Sequence, residues 1–112
     1  MTRNIRISPL TQAAFAPYGD VLNCDGDPDK VINAGLCGRF HDRAQVDVTD
    51  GQVGISLFRS ELRALPYQLE LIERHPEGSQ AFIPMSMDPF LVIVADEDLK
   101  PHAFVTAPGE GI

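Results

Sequence analysis

The sequence is poor in cysteine, in basic residues and in long apolar runs, and each shortage closes off a class of protein. Cys24 and Cys37 are the only cysteines; they form neither a C-x-x-C pair nor a disulfide framework, so reduced thiols are expected. Nine Lys and Arg against sixteen Asp and Glu leave a net charge of −7, and the basic residues are scattered from Arg3 to Lys100 without forming a run. With no phosphate-neutralising patch, nucleic acid is not an expected partner. The negative total also repels anions at long range, so a site for an acidic ligand must gather its own cations or backbone donors. The longest apolar run, 90–95, is far too short to span a bilayer, and no apolar signal segment follows Arg3 and Arg6. A cytoplasmic protein without a membrane partner is the expectation. Internal repeats, low-complexity tracts and Ser/Gly linkers are missing as well.

What is there suits a globular chain: 112 residues, 44% hydrophobic and 22% charged, enough for one domain over 1–112 with a modest core. Ile5 and Ile7 suit a short edge strand over 5–10 that ends near Pro9. Thr11 is placed to cap a brief helix over 12–16, which Pro17 ends. Asp, Gly and Pro crowd 23–30, as loops require. The alternation Phe40, Asp42, Ala44, Val46, Val48 reads as a strand, with Asp50 and Gly51 turning into a second strand over 52–58. Residues 67–75 fit either a helical face or a strand, and the flanking Pro66 and Pro76 favour a short strand. Strands over 80–85 and 90–95 are expected to be neighbours, with Phe82, Leu91 and Ile93 or their alternates in the core. A final strand follows over 103–106. Many short strands and almost no helix predict an all-β sandwich or barrel.

The densest chemical cluster is Glu73, Arg74, His75, Pro76, Glu77, Gly78, Ser79, Gln80. In an extended chain Glu73 and His75 project to one face, being two apart, and a turn over 77–79 would fold Gln80 back beside them. A Glu, a His and a Gln this close also occur on solvated loops by chance. The spacing Glu73-x-His75-x-x-x-x-Gln80 resembles the first metal-binding motif of the cupin superfamily, H-x-H-x-x-x-x-E. Here a neutral amide replaces the acidic third ligand, which weakens a metal site.

A wider resemblance, to the ureidoglycolate lyase (ureidoglycolate hydrolase) family of the cupin superfamily, runs through nearly the whole chain. It is carried by Leu10, Thr11, Gln12, by Phe15 to Val21, by Ile32, Asn33, Ala34, Gly35, and by Arg39, Phe40, His41, Asp42, where Phe40 stands for the usual tyrosine. Its most specific part is Ile72, Glu73, Arg74, His75, Pro76, then Gly78, Ser79, Gln80, Ala81, Phe82, Ile83, Pro84, and Phe90 to Ala95; Ala103, Phe104, Val105 and Gly109, Glu110, Gly111, Ile112 also match. The family continues past Ile112 with residues of the second cupin motif, so the resemblance implies an antiparallel, jelly-roll type β-barrel that is incomplete at the C-terminus, in a fragment or a shortened member. It implies further a carbon–nitrogen lyase that splits (S)-ureidoglycolate into glyoxylate and urea in allantoin and purine degradation, a homodimer, and a divalent metal with nickel weakly favoured.

Ureidoglycolate carries a hydroxyl, a carboxylate and a ureido nitrogen on one carbon. Releasing urea takes a base for the hydroxyl proton, a donor for the leaving nitrogen and a clamp for the carboxylate. His75 is the acid/base candidate, since imidazoles exchange protons near neutral pH. Glu73 would orient it or act as base, and Gln80 would donate a hydrogen bond. If a metal is bound, Glu73, His75 and Gln80 become its ligands. Arg39 is the first choice for the clamp, because guanidinium grips carboxylates with two prongs; a plain surface arginine is the equal alternative. Asn33 is a substrate-binding candidate on a loop that a simple turn explains as well. His41 and Asp42, as sequence neighbours, face opposite ways and argue against a direct catalytic pair. Two other functions stay open: a metal-dependent cupin acting on another small carboxylic acid, and a non-catalytic remnant.

Overall fold

The computed structural model describes residues 3–112. Two compact units make up the chain, Met1–Gln45 with Ala81–Ile112 as the first and Val46–Gln80 as the second. Among the described residues, all regular structure lies in the first: β1 (Ile7–Pro9), α1 (Gln12–Phe15), β2 (Lys30–Ile32), β3 (Cys37–Arg39), β4 (Leu91–Ala95) and β5 (Pro101–Val105). The all-β expectation holds, with a single helical turn among short strands. The described residues form small sheets consistent with a cupin-like β fold and no closed barrel. No helix among them is long and apolar enough to cross a membrane.

The main sheet has the order β1-β5-β4. β1 sits on its edge, where Pro9 with no N–H costs no ladder bond, and pairs parallel to β5 with Ile7 opposite Ala103. β4 and β5 are antiparallel, Leu91 opposite Val105 and Ala95 opposite Pro101. Their turn is closed by Asp96, whose Oδ1 accepts the Lys100 N–H at 3.0 Å, while Leu99 takes a left-handed φ of 60°. The Lys100 amide, and after it His102, holds the Asp96 carboxyl below its ordinary range.

After β1, Thr11 turns the chain into α1 as its residue type demands: it is extended (φ −133°, ψ 151°), and its hydroxyl accepts the Ala14 N–H at 3.1 Å. The turn serves to drop Phe15 into the core, where it is 3% exposed and meets Phe104 edge-on at 5.6 Å between ring centroids. Leu10, Phe15, Val92 and Phe104 are the centre of this core, with Tyr18, Val21, Phe90, Val94 and Ile112 packed around them. Val92, the alternate of Leu91 and Ile93, is thus the inward residue of β4, and Phe82 is exposed.

Several expected strands are not formed. β4 pairs with β5 rather than with 80–85; from that segment Phe82 instead exchanges backbone hydrogen bonds with Ile112 (2.8 and 3.1 Å). The 40–48 and 52–58 hairpin is absent, and so is a strand over 67–75. Val53, Ile55, Leu57 and Phe58 stand exposed, so their alternation faces no sheet. A period of two marks a strand only when another strand supplies hydrogen bonds and packing. In the second unit that partner is confined to a bridge between Val48 and Gly78.

Candidate functional site

In the second unit, residues 73–80 are pinned at one end by backbone pairing. The Thr49 N–H donates to the Glu77 carbonyl at 2.8 Å and the Ser79 N–H to the Asp47 carbonyl at 2.9 Å. Side chains add to this: the Thr49 hydroxyl donates to the Glu77 carbonyl at 2.9 Å, and the Asp47 N–H donates to the Ser79 hydroxyl at 3.0 Å. Gly78 is needed here, because a Cβ would lie 2.7 Å from the Asp47 carbonyl oxygen. Just before this anchor the extended chain puts Glu73 and His75 on one face, as their spacing requires. His75 Nε2 lies 3.3 Å from Glu73 Oε2, with the side chains 47% and 71% exposed. Such a pair can pass a proton between water, imidazole and a bound hydroxyl.

Gln80 makes no side-chain hydrogen bond to either of them among the described residues. Nor do three His, Cys, Asp or Glu side chains gather there into a group that could hold a metal ion. Glu73 and His75 are two donors on an open surface, too few to fill a divalent ion's coordination sphere without further ligands.

In the first unit, Arg39 and Asn33 both belong to the β2–β3 hairpin. Asn33, Ala34 and Gly35 take left-handed φ values of 53°, 56° and 86°, and the Leu36 N–H returns to the Asn33 carbonyl at 3.1 Å. Asn33 therefore serves the turn, a conformation its short polar side chain tolerates. Arg39 points its Nη2 at His41 Nδ1, 2.8 Å away; the nitrogen that accepts from a guanidinium carries no proton, so this contact selects the Nε2–H tautomer. Asp29 accepts the His41 N–H and Arg43 Nη2, each at 2.8 Å. The His41 amide foremost, then Arg43, holds the Asp29 carboxyl below its ordinary value.

The first unit also contains an open cleft of about 480 Å³, walled by Asn23, Asp25, Phe40, Arg43 and Glu110 among others. Arg43 lies over the Phe40 ring, 5.4 Å from its centroid. Glu110 is 6% exposed; its Oε1 accepts the Ala107 N–H at 3.1 Å and its Oε2 accepts Asn23 Nδ2 at 2.9 Å. Neither Arg43 nor Glu110 stands out in the sequence as a ligand-binding residue. A signal was present: a lone Glu between Gly109 and Gly111 beside an apolar strand is an unusual place for a charge. Its partner Asn23, however, is 87 positions away.

A family model described as ureidoglycolate lyase matches residues 2–112. Among similar proteins, the ureidoglycolate lyase of Rhodobacter capsulatus is 52% identical, the match covering 96% of this chain and 70% of that protein. The ureidoglycolate lyase of Mesorhizobium japonicum is 48% identical over 100% of this chain and 72% of its own length. That of Burkholderia mallei is 46% identical, with 98% and 68% covered.

Proposed function

The chain belongs to the ureidoglycolate lyase family, and from that premise we propose that it cleaves ureidoglycolate to glyoxylate and urea as a carbon–nitrogen lyase. The observation that carries this reading is the match over 96% of the chain to a lyase with which it shares 52% identity. The reaction is an elimination across a hemiaminal carbon. The hydroxyl loses its proton, its oxygen forms the carbonyl of glyoxylate, the C–N bond breaks, and the departing nitrogen takes a proton to give urea.

His75 is our acid/base residue. It takes the hydroxyl proton on one side of the reaction and returns a proton to nitrogen on the other, so the net proton count at the imidazole is zero. Glu73, 3.3 Å away, steadies the ring while it is charged. Gln80 supplies an amide donor for a substrate oxygen in this scheme. For a carboxylate, the first unit by itself offers the guanidinium groups of Arg39 and Arg43, each held by a neighbour, His41 and Asp29 respectively. A divalent ion such as nickel would polarise the hydroxyl if further ligands joined Glu73 and His75. Homodimer formation, cytoplasmic location and the (S)-enantiomer complete the proposal.

The test is glyoxylate release from ureidoglycolate by the purified protein, with the metal content measured on the same sample. Release of stoichiometric urea supports the lyase; ammonia in place of urea points to a different C–N cleavage and sinks it. Turnover of another small acid without action on ureidoglycolate would favour the general cupin reading.

A further inference from the structure

We infer that the cleft of the first unit is a binding site for a small ureido acid, with Arg43 gripping its carboxylate and Glu110, helped by Asp25, receiving its ureido N–H groups. The choice of a ureido acid, over other carboxylates that also bear N–H donors, rests on the lyase reading. The pairing of one cationic and one anionic end comes from the cleft itself.

Glu110 is the first reason. It is 6% exposed, yet both partners of its carboxylate are neutral, the Ala107 amide and the Asn23 side chain. A carboxylate oxygen accepts two hydrogen bonds, so each of these oxygens keeps one acceptor position. A buried carboxylate with spare acceptor positions gains from further donors. Asn23 cannot turn away to leave its place, because its Oδ1 also accepts the Asp25 N–H at 3.1 Å. The parallel N–H groups of a ureido group match a carboxylate in the two-pronged manner that guanidinium uses, without adding a net charge.

Arg43 is the second reason. One edge of its guanidinium is fixed by Asp29 at 2.8 Å and its plane lies near the Phe40 ring at 5.4 Å. A guanidinium carries five N–H donors, and among the described residues Asp29 is the acceptor that engages it. The remaining donors belong to a side chain that walls the cleft and is 43% exposed, and they suit a carboxylate. A metal cation is the wrong occupant, since Arg43 would repel it. A volume of about 480 Å³ falls within the range of small-molecule sites.

The probe is N-carbamoylglycine, which has the carboxylate and the ureido group but lacks the hydroxyl, so it cannot be eliminated. Calorimetric titration of the full chain should show saturable binding, weakened at least about tenfold in Arg43→Gln and in Glu110→Gln and partly restored in Arg43→Lys, which keeps the charge without the fork. Arg63→Gln, in the second unit, should bind as wild type. Thermal unfolding of each variant separates lost binding from lost fold; Arg43, being partly exposed, carries the decision if Glu110→Gln unfolds. Wild-type affinity in Arg43→Gln, no binding to the unmodified protein, or equal affinity for acetate and urea taken singly would each overturn the site. Glyoxylate release assayed in parallel keeps the two ideas apart. Activity with Arg43-independent binding defeats the cleft alone, and Arg43-dependent binding without activity defeats the lyase reading alone.

Discussion

Replacing His75 by alanine is expected to separate catalysis from stability, because the pair it belongs to is exposed. The His75 and Glu73 side chains are 47% and 71% accessible and lie 3.3 Å apart. An ion pair so open to water contributes about 0–1 kcal/mol to folding, and only while the imidazole is charged. Unfolding midpoints of His75→Ala and Glu73→Gln should therefore stay close to wild type. Turnover should not. Losing a general acid/base costs about a hundredfold or more, which corresponds to roughly 2.7 kcal/mol of transition-state stabilisation. The measurement is initial glyoxylate release, followed by its NADH-dependent reduction, at saturating substrate and alongside thermal denaturation of the same preparations. His75→Ala should lower kcat at nearly unchanged Tm, and Glu73→Gln should do the same more mildly if it only steadies the ring. Retention of wild-type turnover by His75→Ala, with loss in Arg39→Ala or Arg43→Ala, would refute the assignment and move the reacting centre to the first unit. A large drop in Tm would instead make His75 a structural residue.

Other perturbations follow from the same geometry. Phe104→Ala removes a ring that is 6% exposed and packed edge-on against Phe15; chemical denaturation should show a loss of about 3–5 kcal/mol. Gly78→Ala places a methyl 2.7 Å from the Asp47 carbonyl oxygen, and should speed hydrogen exchange at the Thr49 and Ser79 amides by opening that pairing. The Asp29 carboxyl is held below its ordinary value of 3.8 chiefly by the His41 amide and then by Arg43. A folded-state pKa that is lowered favours the native state above the unfolded value, and that contribution is lost as pH falls below 3.8 through the depressed one. Asp29→Asn should therefore flatten the acid limb of a stability–pH curve and leave its dependence near neutrality unchanged.

Local chemistry was legible in the sequence wherever the cause lies within a few residues. Thr11 caps the turn that it precedes, Pro9 marks an edge strand, Asn33 lies in a turn, and the spacing of Glu73 and His75 puts them on one face. The strand expected over 103–106 falls largely within β5, where the adjacent Ala103 and Phe104 are buried on opposite faces of the strand. The family, too, was legible, since the motif residues are a property of order along the chain.

Tertiary structure alone decided which strands meet. The alternation over 52–58 is as good a strand signal as that over 101–105, yet only the latter found partners, in β1 and β4. β1 and β5 pair in parallel between Ile7 and Ala103, across nearly the full length of the chain, and no local preference encodes a partner so distant. The cleft has the same origin. Asn23 meets Glu110 across 87 positions, and Glu110 is buried because the chain beside it closes onto Leu22 and Phe82 through backbone hydrogen bonds of Gly111 and Ile112. Residue type sets what a side chain can do; burial and the neighbours brought to it by long-range pairing set whether it does so.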